Sequence, residues 1–219
     1  AGTTGITVLL FDSNAKIVKR TYSEFNQIYP NPSWVEHDPL EIWNTTLKLL
    51  HEIIENIDPK SIASIGIANQ RETTVVWNKL TSIPVYNAIV WQCKRTSKKC
   101  EELISEGYSN KIHSKTGLVI DSYFSGTKIN WILNNITNAY DMAKMGELAF
   151  GTIDTWLIWN LTYRKSHLTD HTNASRTLIY NIDDKNWDTE LLEIFDIPIQ
   201  ILPKIKNSSD DFGRINKSI

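Results

Sequence analysis

Between residues 66 and 77 the chain reads Gly-Ile-Ala-Asn-Gln-Arg-Glu-Thr-Thr-Val-Val-Trp, with Arg71 and Glu72 side by side in a polar break between apolar runs. The flanking β-branched residues at 62–67 and 75–77 predict strand, loaded loop, strand. Adjacent side chains of a regular strand point to opposite faces, so Arg71 and Glu72 can meet one ligand only where the chain leaves the sheet. A carboxylate accepts hydrogen bonds and a guanidinium donates them. Together they suit a neutral polyol, each hydroxyl of which does both. A local surface ion pair is the alternative that composition leaves open.

A second group with chemical capacity is the opening Gly2-Thr3-Thr4-Gly5. Glycines let backbone amides approach closely and the threonines add hydroxyl donors, so the loop can cradle a phosphate or be a plain tight turn. His167 and His171, with Asp170 between them, have the spacing of metal ligands on a helix. The β-branched and turn residues around them argue against a helix, and no protein metal site is expected. Cys93 and Cys100 lie seven apart, a spacing that suits one helix face better than a disulfide. His37 and His51 are expected to be solvated or satisfied.

These groups need elements to hold them. Residues 6–12 and 17–25 predict a β-hairpin around a turn at 12–15. Asp38 as N-cap, Pro39 and Glu41 open a helix whose apolar residues Trp43, Leu47, Leu50, Ile54 and Ile57 recur at helical spacing. Residues 62–67 and 85–91 predict strands that deliver the Arg71–Glu72 loop and Trp91. A helix over 95–106 closes at Gly107. Tyr123 precedes a further helix with Ile129, Ile132, Leu133 and Ile136 on its apolar side, and a last helix covers 187–195, with a polar tail over 207–219 leading onward. The order suits an α/β domain with a mixed central sheet and helices on both faces.

The 219 residues carry 23 basic and 25 acidic side chains, a net charge of −2, so there is no global field to hold a nucleic acid. No apolar run reaches bilayer length and the first residues are not a basic stretch followed by a greasy one, which predicts a soluble cytoplasmic protein. The Asn-x-Ser/Thr triplets are those expected by chance in an Asn-rich chain.

Three stretches carry a resemblance. Asn69-Gln70-Arg71-Glu72-Thr73-Thr74 with Tyr86-Asn87-Ala88-Ile89-Val90-Trp91-Gln92 is one; Tyr123, Ser125, Lys128, Trp131, Asn134 and Asn135 are the second; Asp170-His171-Thr172-Asn173-Ala174-Ser175-Arg176-Thr177 is the third. All resemble the glycerol kinases within the FGGY family of sugar and polyol kinases, over nearly the whole chain. The resemblance implies a ribonuclease H-like fold of the actin and hexokinase type. It implies ATP-dependent phosphorylation of glycerol with Mg2+, and an assembly of homodimer or homotetramer. Residues 1–219 would be the substrate-binding N-terminal domain, without the nucleotide-binding domain and without the general-base Asp, both expected beyond residue 219.

By that resemblance Arg71 and Glu72 bind the polyol, Trp91 lies against its carbon face, Tyr123 bonds a hydroxyl, and Gly2, Thr3 and Thr4 face the nucleotide phosphates. The Asp that opens the family's phosphate hairpin would stand immediately before Ala1. Thr7 replaces a usual Arg and His171 a usual Tyr. The third stretch either braces the site or contacts ligand. Other readings are a kinase of another small polyol or sugar, and an actin-like binding module without chemistry. A nuclease on the same fold would need carboxylates meeting at two metals.

Overall fold

A computed structural model describes residues 1–215; the last four residues of the expected polar tail lie outside the described ones. The hairpin forms as its alternation demands. Strand β1 (Gly5–Phe11) pairs antiparallel with β2 (Ile17–Glu24), from Gly5 opposite Glu24 onward, and Asp12 Oδ1 accepts the amides of Asn14 and Lys16 to fix the turn. Strand β3 (Glu36–His37) leads into helix α1 (Pro39–Ile53), where Asp38 caps by accepting the Leu40 amide at 2.8 Å.

The buried stripe of α1 is Ile42, Thr46, Leu49 and Ile53, one position away from the expected Trp43, Leu47 and Leu50. Both stripes have helical spacing. Thr46 made the true one look polar, but its hydroxyl is satisfied by the Ile42 carbonyl at 2.8 Å, so it can face the core.

The remaining elements are β4 (Val75–Asn78), β5 (Ala88–Ile89), α2 (Ser97–Ser105), α3 (Ser109–Thr116), α4 (Ser125–Asn135) and α5 (Ala139–Lys144). They continue with β6 (Leu148–Gly151), α6 (Ile153–Leu161), β7 (Leu168–Asp170), α7 (His171–Ala174), β8 (Tyr180–Asn181), β9 (Asn186–Trp187), α8 (Thr189–Ile194) and β10 (Lys204–Lys206). Gly117, at φ 69°, ends α3 in the left-handed conformation that side chains resist. Cys93 precedes α2 rather than sharing a helix face with Cys100, and both thiols are free and buried.

The β4–β6 ladder, antiparallel with Val75 opposite Gly151, divides the two halves of the core. Val76, Leu148 and Phe150 face a core built with Leu103, Ile112, Ile129, Ile132 and Leu191 of α2, α3, α4 and α8. Val75, Trp77 and Ala149 face the opposite way, onto Ile42 and Leu49 of α1 and Ile153, Trp156 and Leu157 of α6. Strand alternation thus places helices on both faces of this ladder.

Among the described residues the strands pair as five two-stranded ladders, including β7 parallel to β10 and β3 antiparallel to β5. The expected strand over 62–67 is not a paired strand. β-branched residues favour extension, but a strand needs a neighbour. Among the described residues this segment finds one only past its end, where the Ala1 amine donates to the Ala68 carbonyl and the Gln70 amide to the Ala1 carbonyl, both at 2.7 Å. Alongside it opens a cleft of about 430 Å³ lined by Ile65, Ile67, Asn69, Arg71, Asp154 and Asp170. The expected strand over 85–91 likewise contracts to Ala88–Ile89.

Candidate functional site

Glu72 is the centre of the site. It is buried, and its backbone sits at φ 65°, a left-handed value that costs a non-glycine residue about 1–3 kcal/mol and persists only where neighbours hold it. They do so here: the hydroxyls of Thr74 and Ser125 donate to the Glu72 carbonyl at 3.1 and 3.0 Å. The carboxylate is then aimed by Arg176, whose Nε donates to Oε1 at 2.7 Å. The second carboxylate oxygen has no bond within the described chain.

Trp91 and Tyr123 form the adjoining wall, their ring centroids 5.3 Å apart. The indole Nε1 donates to the Thr3 hydroxyl at 3.0 Å, which joins the wall to the opening loop. Tyr123 stands at the entrance to α4, its amide received by Asp121 Oδ1 at 2.7 Å and its carbonyl held by the Lys128 amine at 2.5 Å. Lys128 also reaches the Phe124 carbonyl at 3.3 Å and is fully buried; burial pulls its pKa down to about 7. The Arg176 guanidinium packs over the Phe124 ring at 4.8 Å and the Tyr123 ring at 5.7 Å. Glycine at 126 is a steric requirement. A Cβ there would come within 2.9 Å of the Thr177 carbonyl, which receives the Gly126 amide at 2.7 Å.

Of the residues singled out in the sequence, Glu72, Trp91, Tyr123 and Thr3 are brought together by these contacts. Gly2 and Thr4 flank Thr3 on the exposed side of the same loop. Arg71 is not joined to them. Its side chain is exposed, forms no ion pair with Glu72 among the described residues, and lines the neighbouring cleft beside Asn69 and Asp170.

Arg176 is the partner that sequence reasoning missed. Nothing local marks an arginine whose carboxylate lies 104 residues away. The stretch around it is a brace: Asp170 caps α7 by accepting the Asn173 amide at 2.8 Å, and the Asn173 side-chain oxygen receives Asn69 Nδ2 at 3.0 Å. His171 meets the Tyr180 hydroxyl at 2.8 Å and His167 the Phe150 carbonyl at 2.8 Å. β7 places residues 168–170 in a strand, so the two histidines do not share a helix face.

As chemical groups, a carboxylate oxygen that Arg176 leaves open, a phenol hydroxyl and an indole wall suit a small neutral molecule with hydroxyls on one side and carbon on the other. The opening loop offers hydroxyl and amide donors to an anion beside it. Gly5 is needed there, since a Cβ would fall 2.6 Å from the Ser23 carbonyl. Among the described residues no group of three or more His, Cys, Asp or Glu could hold a metal ion. None of the described helices is long and apolar enough to cross a membrane.

Comparison with known proteins gives the same direction. The profile of the FGGY family of carbohydrate kinases, N-terminal domain, matches residues 1–219. A glycerol kinase of Thermoanaerobacter sp. (strain X514) is 56% identical over 100% of this chain, and one of Borrelia duttonii is 54% identical over the same extent; the chain covers 44% of each. The crystal structure of Plasmodium falciparum glycerol kinase with ADP superposes with a TM-score of 0.95 at 36% identity, covering 99% of this chain and 44% of that one. A gluconate kinase from Lactobacillus acidophilus follows at TM-score 0.89 and 25% identity over 99% of this chain and 42% of the other. The chain thus spans less than half the length of the relatives it matches. It belongs to the FGGY family of carbohydrate kinases, and what it matches is their N-terminal domain.

Proposed function

We propose that this chain is the polyol-binding domain of an ATP-dependent glycerol kinase, which makes glycerol 3-phosphate. The observation that carries the reading is the run of contacts that joins Thr3 of the opening loop to Trp91, Trp91 to the Tyr123 ring, and Arg176 to both the Tyr123 ring and the Glu72 carboxylate. The high identity to glycerol kinases along the whole chain supports glycerol over other polyols.

In this reading Glu72 accepts a glycerol hydroxyl through its uncommitted oxygen, and Tyr123 bonds another. Trp91 shields the carbon face and keeps water from it. Arg71 lines the neighbouring cleft and has no partner among the described residues, so it serves as the donor of the set only if its side chain reaches across from there. The Thr3 hydroxyl accepts from Trp91 and so keeps its own proton for a phosphate oxygen. ATP, when bound, supplies the phosphoryl group. Phosphoryl transfer asks the protein mainly for positioning and charge stabilisation, and this domain contributes the first. Mg2+ would come with the nucleotide, since the described residues gather no ligand set of their own. The base and the nucleotide-binding domain lie in the remainder of the complete kinase, whose assembly would be a homodimer or homotetramer.

The test is calorimetric titration of glycerol into the complete protein and its Glu72→Ala variant, with a coupled assay for glycerol 3-phosphate. Saturable binding and turnover in the parent, both lost in the variant, are expected. Turnover of gluconate or a pentulose in preference to glycerol, or glycerol binding indifferent to Glu72, would overturn the reading.

A further inference from the structure

His37, to which the residue pattern assigns no ligand, sits at the junction of the opening loop and the Glu72 loop. Its ring is fully buried, edge-on to Phe25 with centroids 4.8 Å apart. Both ring nitrogens are engaged by glutamines. Nε2 meets Gln27 Oε1 at 2.7 Å, and Nδ1 meets Gln70 Nε2 at 3.2 Å.

Each glutamine then reaches the opening loop. Gln27 Nε2 donates to the Thr3 carbonyl at 3.0 Å, and Gln70 Nε2 donates to the Gly2 carbonyl at 3.1 Å. Gln70 Oε1 accepts from the Thr73 hydroxyl at 3.0 Å, and that hydroxyl accepts the Trp91 amide at 3.4 Å. Donors and acceptors can be assigned along the chain without conflict in one way. Both amide nitrogens donate to carbonyls, so Gln27 Oε1 must receive a proton from Nε2, and Nδ1 must be the acceptor for Gln70. Such a ring is neutral, protonated on Nε2 alone. Burial, which holds its pKa down at about 4, keeps it so.

We propose that His37 is a positioning residue: through Gln27 and Gln70 it locks the Gly2–Thr3–Thr4 loop in register with Trp91 and the polyol pocket, so that phosphate and hydroxyl meet in line. The inference rests on the function proposed above. It adds a residue that touches neither substrate.

The experiment uses the complete kinase. His37→Phe keeps the ring against Phe25 and removes both nitrogens. Gln27→Met, at a half-buried position, removes one arm of the clamp with less risk to folding. For either variant the KM for MgATP is expected to rise by about tenfold and kcat to fall, as for a lost pair of neutral hydrogen bonds, with the glycerol Kd moving less than about threefold. The double variant should be no worse than the stronger single one, because the residues act as a unit. Amide hydrogen exchange at residues 2–4 should quicken in both variants while exchange in β4 stays unchanged.

Equal losses in glycerol and nucleotide, unchanged kinetics, or additive effects in the double variant would overturn the positioning role. An active parent with indifferent variants would sink this inference alone. A parent without glycerol kinase activity would sink the reading beneath it, and the exchange measurement would then report on the clamp as a structural device only.

Discussion

Arg176 Nε and Glu72 Oε1 are 2.7 Å apart, across 104 residues of chain. The pair makes the third of the resembling stretches, residues 170–177, a part of the site without placing it on ligand. Glu72 is buried and its partner about one-quarter exposed, so removing the guanidinium leaves a carboxylate short of its main compensation. Arg176→Ala should lose about 2 kcal/mol of stability in denaturant titration and weaken glycerol by tenfold or more. Arg176→Lys should recover only part of either, because an ammonium reproduces neither the directed Nε bond nor the packing over Phe124. A glycerol affinity unchanged in Arg176→Ala would show that Glu72 does not need aiming.

The left-handed backbone at Glu72 makes a separate prediction. Its carbonyl is pinned by Ser125 and Thr74. Ser125→Ala removes one pin from a fully buried site, and a cost of about 1 kcal/mol is expected with a larger proportional loss in glycerol binding. If melting temperature falls while glycerol affinity stays, the pin serves the fold and not the pocket.

Lys128 predicts a pH dependence. Its ordinary pKa is 10.5, and burial brings it to about 7 in the fold. Between these values the unfolded chain holds the extra proton, so stability rises with pH by about 1.4 kcal/mol per unit. Cys100, whose thiol burial pushes up to about 11 from 9.0, works in the opposite direction, so the clear window is pH 7–9. Denaturant titrations across that window should show a steeper rise in the parent than in Lys128→Met, where only the smaller rise from the Ala1 amine and Lys79, both lowered by burial, is left. The variant should also bind glycerol less well, because the Tyr123 and Phe124 carbonyls lose their donor. Parallel pH curves would refute the assignment.

Much of this is legible in the residue order alone. The cap at Asp38, the hairpin turn at Asp12 and the loaded loops at Glu72 and Tyr123 are written in local residue order, and local order is what sequence patterns report. What could not be read is long-range. The segment 62–67 has the composition of a strand, but pairing depends on a neighbour that composition does not name. The α1 stripe was displaced because Thr46 hides its polarity in a bond to its own helix. Arg71 and Glu72, adjacent in the chain, part company in space because the positive φ at Glu72 turns the two side chains to different surroundings. His37, expected to be solvated or satisfied, is satisfied at both ring nitrogens. Its consequence comes from what satisfies it.

The acid limb of stability is the last test. Burial holds His37 and His167 down at about 4 each, against an ordinary 6.5. From pH 6.5 down to 4 the unfolded chain therefore takes up protons that the fold refuses, and stability falls. Asp154 opposes this. Burial raises it from 3.8 to about 6 against the hydrogen bonds of Thr152 and Thr169, so over pH 6 to 3.8 the fold binds the proton first and gains. Two histidines outweigh one aspartate, and the net loss from pH 6.5 to 4 is on the order of 4 kcal/mol. Asp154→Asn removes the opposing gain, so its acid limb should be steeper than the parent's. A parent whose denaturation midpoint is flat between pH 6.5 and 4, or an Asp154→Asn variant that is less acid-sensitive than the parent, would mean that these side chains are not buried in solution as they are in the fold.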